Sequence, residues 1–194
     1  MSLISYANRG MDIENKVNEA NEYYIKHDIA YIYKKEIPIN IVRVKGAKIV
    51  EAYYSKKSTT DYFGIYKGYY IDFETKQTNT DKFNLTTNLH AHQINHLINI
   101  KNHGGISFLL IFFNKYDKIY LIEINSLLGF IYQRKSQVDI SFFKENGYEL
   151  NMNSKLFNYI KVIDIFIERF EHEKINYKEN NKKNNKKASG KEKK

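Results

Sequence analysis

Residues Ile106–Phe113 read Ile-Ser-Phe-Leu-Leu-Ile-Phe-Phe, a run with almost no alternation of apolar and polar positions. Such a strand has no face to give to water, so it belongs in the middle of a sheet covered on both sides. The rest of the chain must supply its neighbours and its covering helices. Ile13, Val17, Ala20 and Tyr24 recur at helical spacing and predict a first helix between Asn8 and Lys26, with Asp12 and Glu14 early in it, as a helix start prefers. β-prone runs follow at Ile29–Lys34, Ile39–Lys45 and Ile49–Tyr54, broken by Pro38 and Gly46. Tyr62–Tyr66 and Tyr69–Lys76, joined through Lys67-Gly68, predict a hairpin. Leu89–His103 predicts a helix stopped by Gly104-Gly105, and Lys118–Ile124 a partner strand for the apolar run. Leu156, Ile160, Ile163, Ile167 and Phe170 place an apolar stripe on a last helix. The expected fold class is α/β, a mixed central β-sheet flanked by helices.

The 194 residues suffice for one sizeable core, and a single folded domain is expected over residues 1–173. From Lys174 onward the chain holds nine lysines against Glu179 and Glu192, so this segment carries seven of the nine net positive charges. With almost nothing to bury, residues 174–194 read as a disordered lysine-rich tail, either simply solvated or a non-specific tether to nucleic acid. A basic face on the folded body must then come from local clustering. No apolar run is long enough to cross a bilayer and Met1–Met11 lacks the order of a secretory signal, so a cytoplasmic protein without a membrane partner is expected. The absence of cysteine leaves only oxygen and imidazole ligands for any metal, which favours a hard cation.

Asp61 opens one strand of the predicted hairpin, while Glu74 and Lys76 lie one residue apart on the other and point to the same face. Two converging carboxylates suit Mg²⁺, with Mn²⁺ as a substitute. Beside them an ammonium suits a developing negative charge, as in phosphodiester hydrolysis. A lone Glu-x-Lys also recurs on the wet face of ordinary strands. The preceding Asp61, the alternation of Ile71 and Phe73 and the following helix with polar Gln93 narrow the reading to a nuclease of the broad PD-(D/E)xK, restriction-endonuclease-like type, with an αβββαβ core.

Asn8-Arg9-Gly10-Met11, Pro38-Ile39-Asn40-Ile41-Val42, Glu51-Ala52-Tyr53-Tyr54, Ser58-Thr59-Thr60-Asp61-Tyr62, Gly68-Tyr69-Tyr70-Ile71-Asp72-Phe73-Glu74-Thr75-Lys76 and His90-Ala91-His92-Gln93 occur in this order. Together they resemble the RecU family of Holliday-junction resolvases, from Asn8 to about Ile163. The resemblance implies that Thr59, Asp61, Glu74 and Gln93 hold Mg²⁺ and that Lys76 stabilises the transition state. From the residues alone, Thr59 can equally bond backbone in a turn and Gln93 can be a solvated helix residue. Glu14 stays outside the core set, and His90, His92 and His96 read as DNA contacts or helix-surface residues, because a histidine cluster suits zinc better than a carboxylate site.

The resemblance further implies a homodimer that cuts paired strands of a four-way junction in recombination and repair, with a recombinase or branch-migration protein as a possible partner. It also implies a stalk around residues 44–54. Here the chain departs from the family, because Lys45-Gly46-Ala47-Lys48 is shorter than the usual connection. Lys45, Lys48, Lys56 and Lys57 remain candidates for phosphate contacts and Tyr53 or Tyr54 for base stacking. Two other readings stay open: a nuclease of the same fold acting on other DNA, and a non-catalytic DNA-binding recombination factor.

Overall fold

The apolar run forms β7 of a six-stranded sheet and is buried at every position. The computed structural model describes residues 9–56, 58–151, 154 and 156–189. Asn8, Lys57 and residues 190–194 lie outside these. In chain order the elements are α1 (Arg9–Lys26), β1 (Tyr31–Lys34), β2 (Ile39–Lys45), β3 (Lys48–Tyr54), β4 (Tyr62–Tyr66), β5 (Tyr69–Thr78), β6 (Lys82–Asn84), α2 (Leu85–Asn88) and α3 (Ala91–Asn102). There follow β7 (Ile106–Phe113), β8 (Lys118–Glu123), α4 (Ile124–Tyr132), β9 (Gln137–Asp139), α5 (Ile140–Asn146), β10 (Tyr148–Leu150) and α6 (Ile160–Ser189).

The sheet runs β1-β4-β5-β7-β8-β10. Only β5 and β7 pair in parallel, and α3 lies in the crossover between them. All other neighbours in this sheet are antiparallel. The αβββαβ order is therefore α1, β1, β4, β5, α3 and β7, with β2 and β3 inserted as a separate two-stranded hairpin. Every residue of that hairpin is exposed. It occupies Ile39–Tyr54, a longer stretch than the stalk expected at 44–54. At the β4–β5 turn Lys67 and Gly68 both have positive φ, 49° and 80°, the mirror-image turn whose twist matches a hairpin.

One face of the sheet is built on stacked rings: Tyr62 on Phe73 at 4.9 Å and Phe73 on Phe108 at 4.7 Å, crossing β4, β5 and β7. The apolar side of α1, with Ile13, Val17, Ala20 and Tyr24, is buried, and this helix contacts β1 and β5. The opposite face joins Leu109, Ile111 and Phe113 to Leu97 of α3, Leu127 of α4 and Phe143 of α5. The sequence pattern does not reveal helices α4 and α5 or the β6–β9 pair, and Ile124, which the alternation places at the end of a strand, instead starts α4.

The chain divides into two compact units, Met1–Asn158 and Tyr159–Lys194. The second is α6, which continues to Ser189 where low apolar content pointed to disorder from residue 174. Between Ile160 and Ser189 there is neither glycine nor proline, and lysine and glutamate are good helix formers. Local propensity extends the helix where there is nothing to bury.

A Cβ on Gly64 would collide with the backbone of Tyr31 and Ile32 on the paired strand, whereas one on Gly129 in α4 would meet nothing within 4 Å. Gly64→Ala should therefore destabilise the protein by about 3 kcal/mol. Gly129→Ala should stabilise it by roughly 0.5–1 kcal/mol. Urea unfolding of the two variants beside wild type checks both signs.

Candidate active site

Strand β5 turns Ile71 and Phe73 towards α1, so alternation places Asp72, Glu74 and Lys76 on the α3 side. Asp72 and Glu74 are buried and Lys76 is half-buried. Lys76 Nζ lies 2.5 Å from Glu74 Oε1, and Gln93 Nε2 donates to the same oxygen at 2.6 Å. Glu74 Oε2 is buried with no hydrogen-bond partner among the described residues. Burial, followed by the negative charge of Asp61, pushes the Glu74 carboxyl up to about 7 despite Lys76 and Gln93, which pull it down.

Asp61 sits just before β4. Its Oδ2 accepts from Thr75 N at 2.9 Å and from Thr75 Oγ1 at 2.8 Å, which leaves Oδ1 outside these bonds. Asp61, Glu74, Lys76 and Gln93 thus come together as expected. Thr59 is nearby in sequence, but its hydroxyl accepts from Lys35 Nζ at 3.0 Å instead of meeting either carboxylate. Gln93 presents its amide nitrogen to Glu74, because its Oε1 accepts from His90 N at 3.1 Å. Ligation through the Gln93 carbonyl requires the amide to turn over.

A second cluster was not anticipated. Lys35, just past β1, donates from Nζ to Asp72 Oδ2 at 2.7 Å and to the hydroxyls of Thr59 and Thr60. Asp72 also takes the Thr60 hydroxyl, Tyr70 OH at 3.1 Å and His96 Nε2 at 3.0 Å. Burial and the Asp72 charge push Tyr70 up to about 12. The Lys35 backbone N–H donates to Asp61 O at 2.7 Å, and His92 Nε2 lies 3.1 Å from Ser58 O. The segment 58–61 is therefore held from β1, β5 and α3. Asp72 was detectable, since it continues the alternation of Glu74 and Lys76. Lys35 was not, because only the fold brings it to Asp72.

Glu14 of α1 pairs with Lys34 at 2.5 Å and lines a polar cleft of about 310 Å³ with Thr75, Lys76 and His90. His96 is bound to Asp72, while the rings of His90 and His92 stack at 5.4 Å. Among the described residues no group of three or more histidines or carboxylates is arranged for a metal. What is present is two carboxylates with an unsatisfied buried oxygen and neutral oxygens nearby. That donor set fits Mg²⁺, which binds through one or two carboxylates and keeps several waters.

The family described as Recombination protein U, RecU, matches residues 8–165. A Holliday junction resolvase RecU of Pediococcus pentosaceus is 43% identical over 84% of this chain and 86% of its own length. One from Streptococcus agalactiae is 40% identical over 86% of each. Hjc of Archaeoglobus fulgidus, a solved Holliday junction resolvase, overlaps 70% of this chain and 94% of its own at a TM-score of 0.42 and 14% identity, too distant to add to the argument.

Unfolded glutamate ionises near 4.5 and folded Glu74 near 7, so between these pH values the unfolded chain loses its proton first and stability falls as pH rises. Relative to Glu74→Gln, wild type without divalent cation should lose roughly 3 kcal/mol across this window and no more above it. Added Mg²⁺ should restore stability above pH 7 in wild type only; denaturant titrations at stepped pH read both effects. Lys35→Ala should cost about 3–5 kcal/mol by leaving Asp72 buried without its cation. Exposed Lys34→Ala should cost less than about 1 kcal/mol in the same assay.

Proposed function

Since the chain belongs to the RecU family, we propose that it is an endonuclease resolving four-way DNA junctions in recombination, with Mg²⁺ held by Asp61 and Glu74. The observation that carries this reading is the Glu74 carboxyl, buried between Lys76 and Gln93 with one oxygen unsatisfied and Asp61 acting on it electrostatically. An ordinary core does not keep such a group, because an incompletely paired buried carboxylate is destabilising.

Held by Asp61 and Glu74, Mg²⁺ would supply charge to activate a water and to neutralise the scissile phosphate. Asp61 is pre-aimed by its two bonds from Thr75, so its free direction is fixed before substrate arrives. Thr59 and Gln93 complete the proposed ligand set, Gln93 after its amide turns. Lys76 holds its ammonium against Glu74 and faces the polar cleft, where it can donate to a phosphate oxygen as negative charge grows. Glu74 carries its proton to about neutral pH in the absence of cation, so proton release accompanies loading of the site.

A homodimer is part of the proposal, because two symmetric cuts call for two sites related by a two-fold axis. The hairpin supports an assembly of this kind: Ile41, Val42, Val44 and Tyr54 are all more than half exposed, and an isolated two-stranded ribbon is marginal in water. No helix among the described residues is long and apolar enough to cross a membrane.

Cleavage of a mobile four-way junction beside matched linear duplex, with Mg²⁺ and with chelator, tests the reading. Paired nicks on the junction alone are expected. Asp61→Asn should lower the rate at least about a hundredfold while junction binding persists, and Lys76→Ala should slow the chemical step by a similar order. Equal cutting of linear duplex would move the activity to other DNA, and binding without cleavage under Mg²⁺ or Mn²⁺ would make the protein a non-catalytic factor.

A further inference from the structure

At the foot of the β2–β3 hairpin lies a cavity of about 700 Å³, whose lining includes Tyr54, Lys56, Ser58, His90, His92 and Gln93. Gln93 is both a wall of this cavity and a donor to Glu74, so the cavity begins one side chain away from the proposed cation site. His90 lines it too, and also lines the polar cleft that holds Lys76. The two spaces therefore meet at one residue.

The chemistry of the larger space is that of a base pocket. The rings of His90 and His92 are nearly parallel, 12° apart, which offers flat aromatic surface. The His92 ring lies 3.1 Å from Ser58 O, and the His90 backbone N–H donates to Gln93 Oε1, so the two residues that carry the rings are tied to their surroundings. Among the described residues no carboxylate lines the cavity, and Lys56 supplies a cation. Its volume lies in the range of small-molecule sites, larger than an ion needs and matched to one nucleotide. A base inside a continuous duplex enters such a pocket only at an unstacking cost of about a few kcal/mol, and that cost is smaller where a branch point weakens the stack.

We propose that this cavity receives an unstacked nucleobase from a nucleotide flanking the scissile phosphate, stacked on His90 with Lys56 at its phosphate. The proposal rests on the reading of the site as a junction nuclease. It makes branched structure felt at the cation site through Gln93.

Single-turnover cleavage of four-way junctions carrying one abasic residue, moved through the positions on either side of the cut, tests it. Wild type should slow on the order of tenfold when the base is missing at one of these positions. His90→Ala should be slow on the intact junction by a similar factor and lose nothing more at the abasic one. His90→Phe, which keeps a flat ring, should retain the sensitivity. Indifference of wild type to every abasic position, or losses from His90→Ala and the abasic residue that multiply independently, would overturn the base pocket while leaving the nuclease reading intact. Failure of wild type to cut the intact junction would overturn both.

Discussion

Two carboxylates buried on one face of one strand set the terms for the rest of this structure. Asp72 and Glu74 are both almost inaccessible to water, and an uncompensated buried charge costs several kcal/mol. The fold answers the two differently. Asp72 receives Lys35, His96, Tyr70 and Thr60, a set that occupies both of its oxygens. Glu74 receives Lys76 and Gln93 on one oxygen and, among the described residues, no hydrogen bond on the other, with Asp61 acting against its ionisation. A finished ion cluster thus stands two residues from an unfinished one. The finished cluster anchors the strand, so the unfinished one can stay open to a cation without loosening the sheet.

The same anchoring fixes the approach to Asp61. Segment 58–61 has no regular structure of its own, yet it is bound at Ser58 by His92, at Thr59 and Thr60 by Lys35, and at Asp61 by both Lys35 and Thr75. The contacts come from Lys35 after β1, from Thr75 of β5 and from His92 of α3, so the geometry at Asp61 is set by several separate parts of the domain. This is the condition for ligands that do not reorganise during the chemical step. It also gives the buried Lys35–Asp72 pair a use beyond stability, since a well-packed apolar pair could not hold the Thr59 and Thr60 hydroxyls.

What the sequence disclosed follows from how local each signal was. The β4–β5 hairpin was legible because alternation and a Lys-Gly turn coincide, and the central place of β7 because a strand with no wet face leaves no other option. Asp61, Glu74 and Lys76 were found together because one short hairpin carries all three. Short elements such as β6, β9 and α5 hold too few residues to show a period. Lys35 and His96 reach Asp72 only through tertiary packing, so no spacing reveals them. The Thr59 hydroxyl is set by Lys35 and the Gln93 amide by Glu74 and the His90 backbone, tertiary or capping partners that residue type alone does not reveal. The lysine-rich end was judged by what it can bury, whereas the helix there follows propensity alone.

The placement of the exposed hairpin gives the molecule a way to couple recognition to chemistry. Lys35 lies just before β2, and segment 58–61 lies just after β3, so the hairpin is the covalent connection between the two halves of the anchored cluster. Its base is closed by Ser55 N donating to Pro38 O at 3.0 Å. An exposed apolar ribbon of this kind gains stability only when something covers it, whether a second copy or branched DNA. The ends of the ribbon adjoin Lys35 on one side and segment 58–61 on the other, so a partner seated on it would lie next to the loop that presents Asp61.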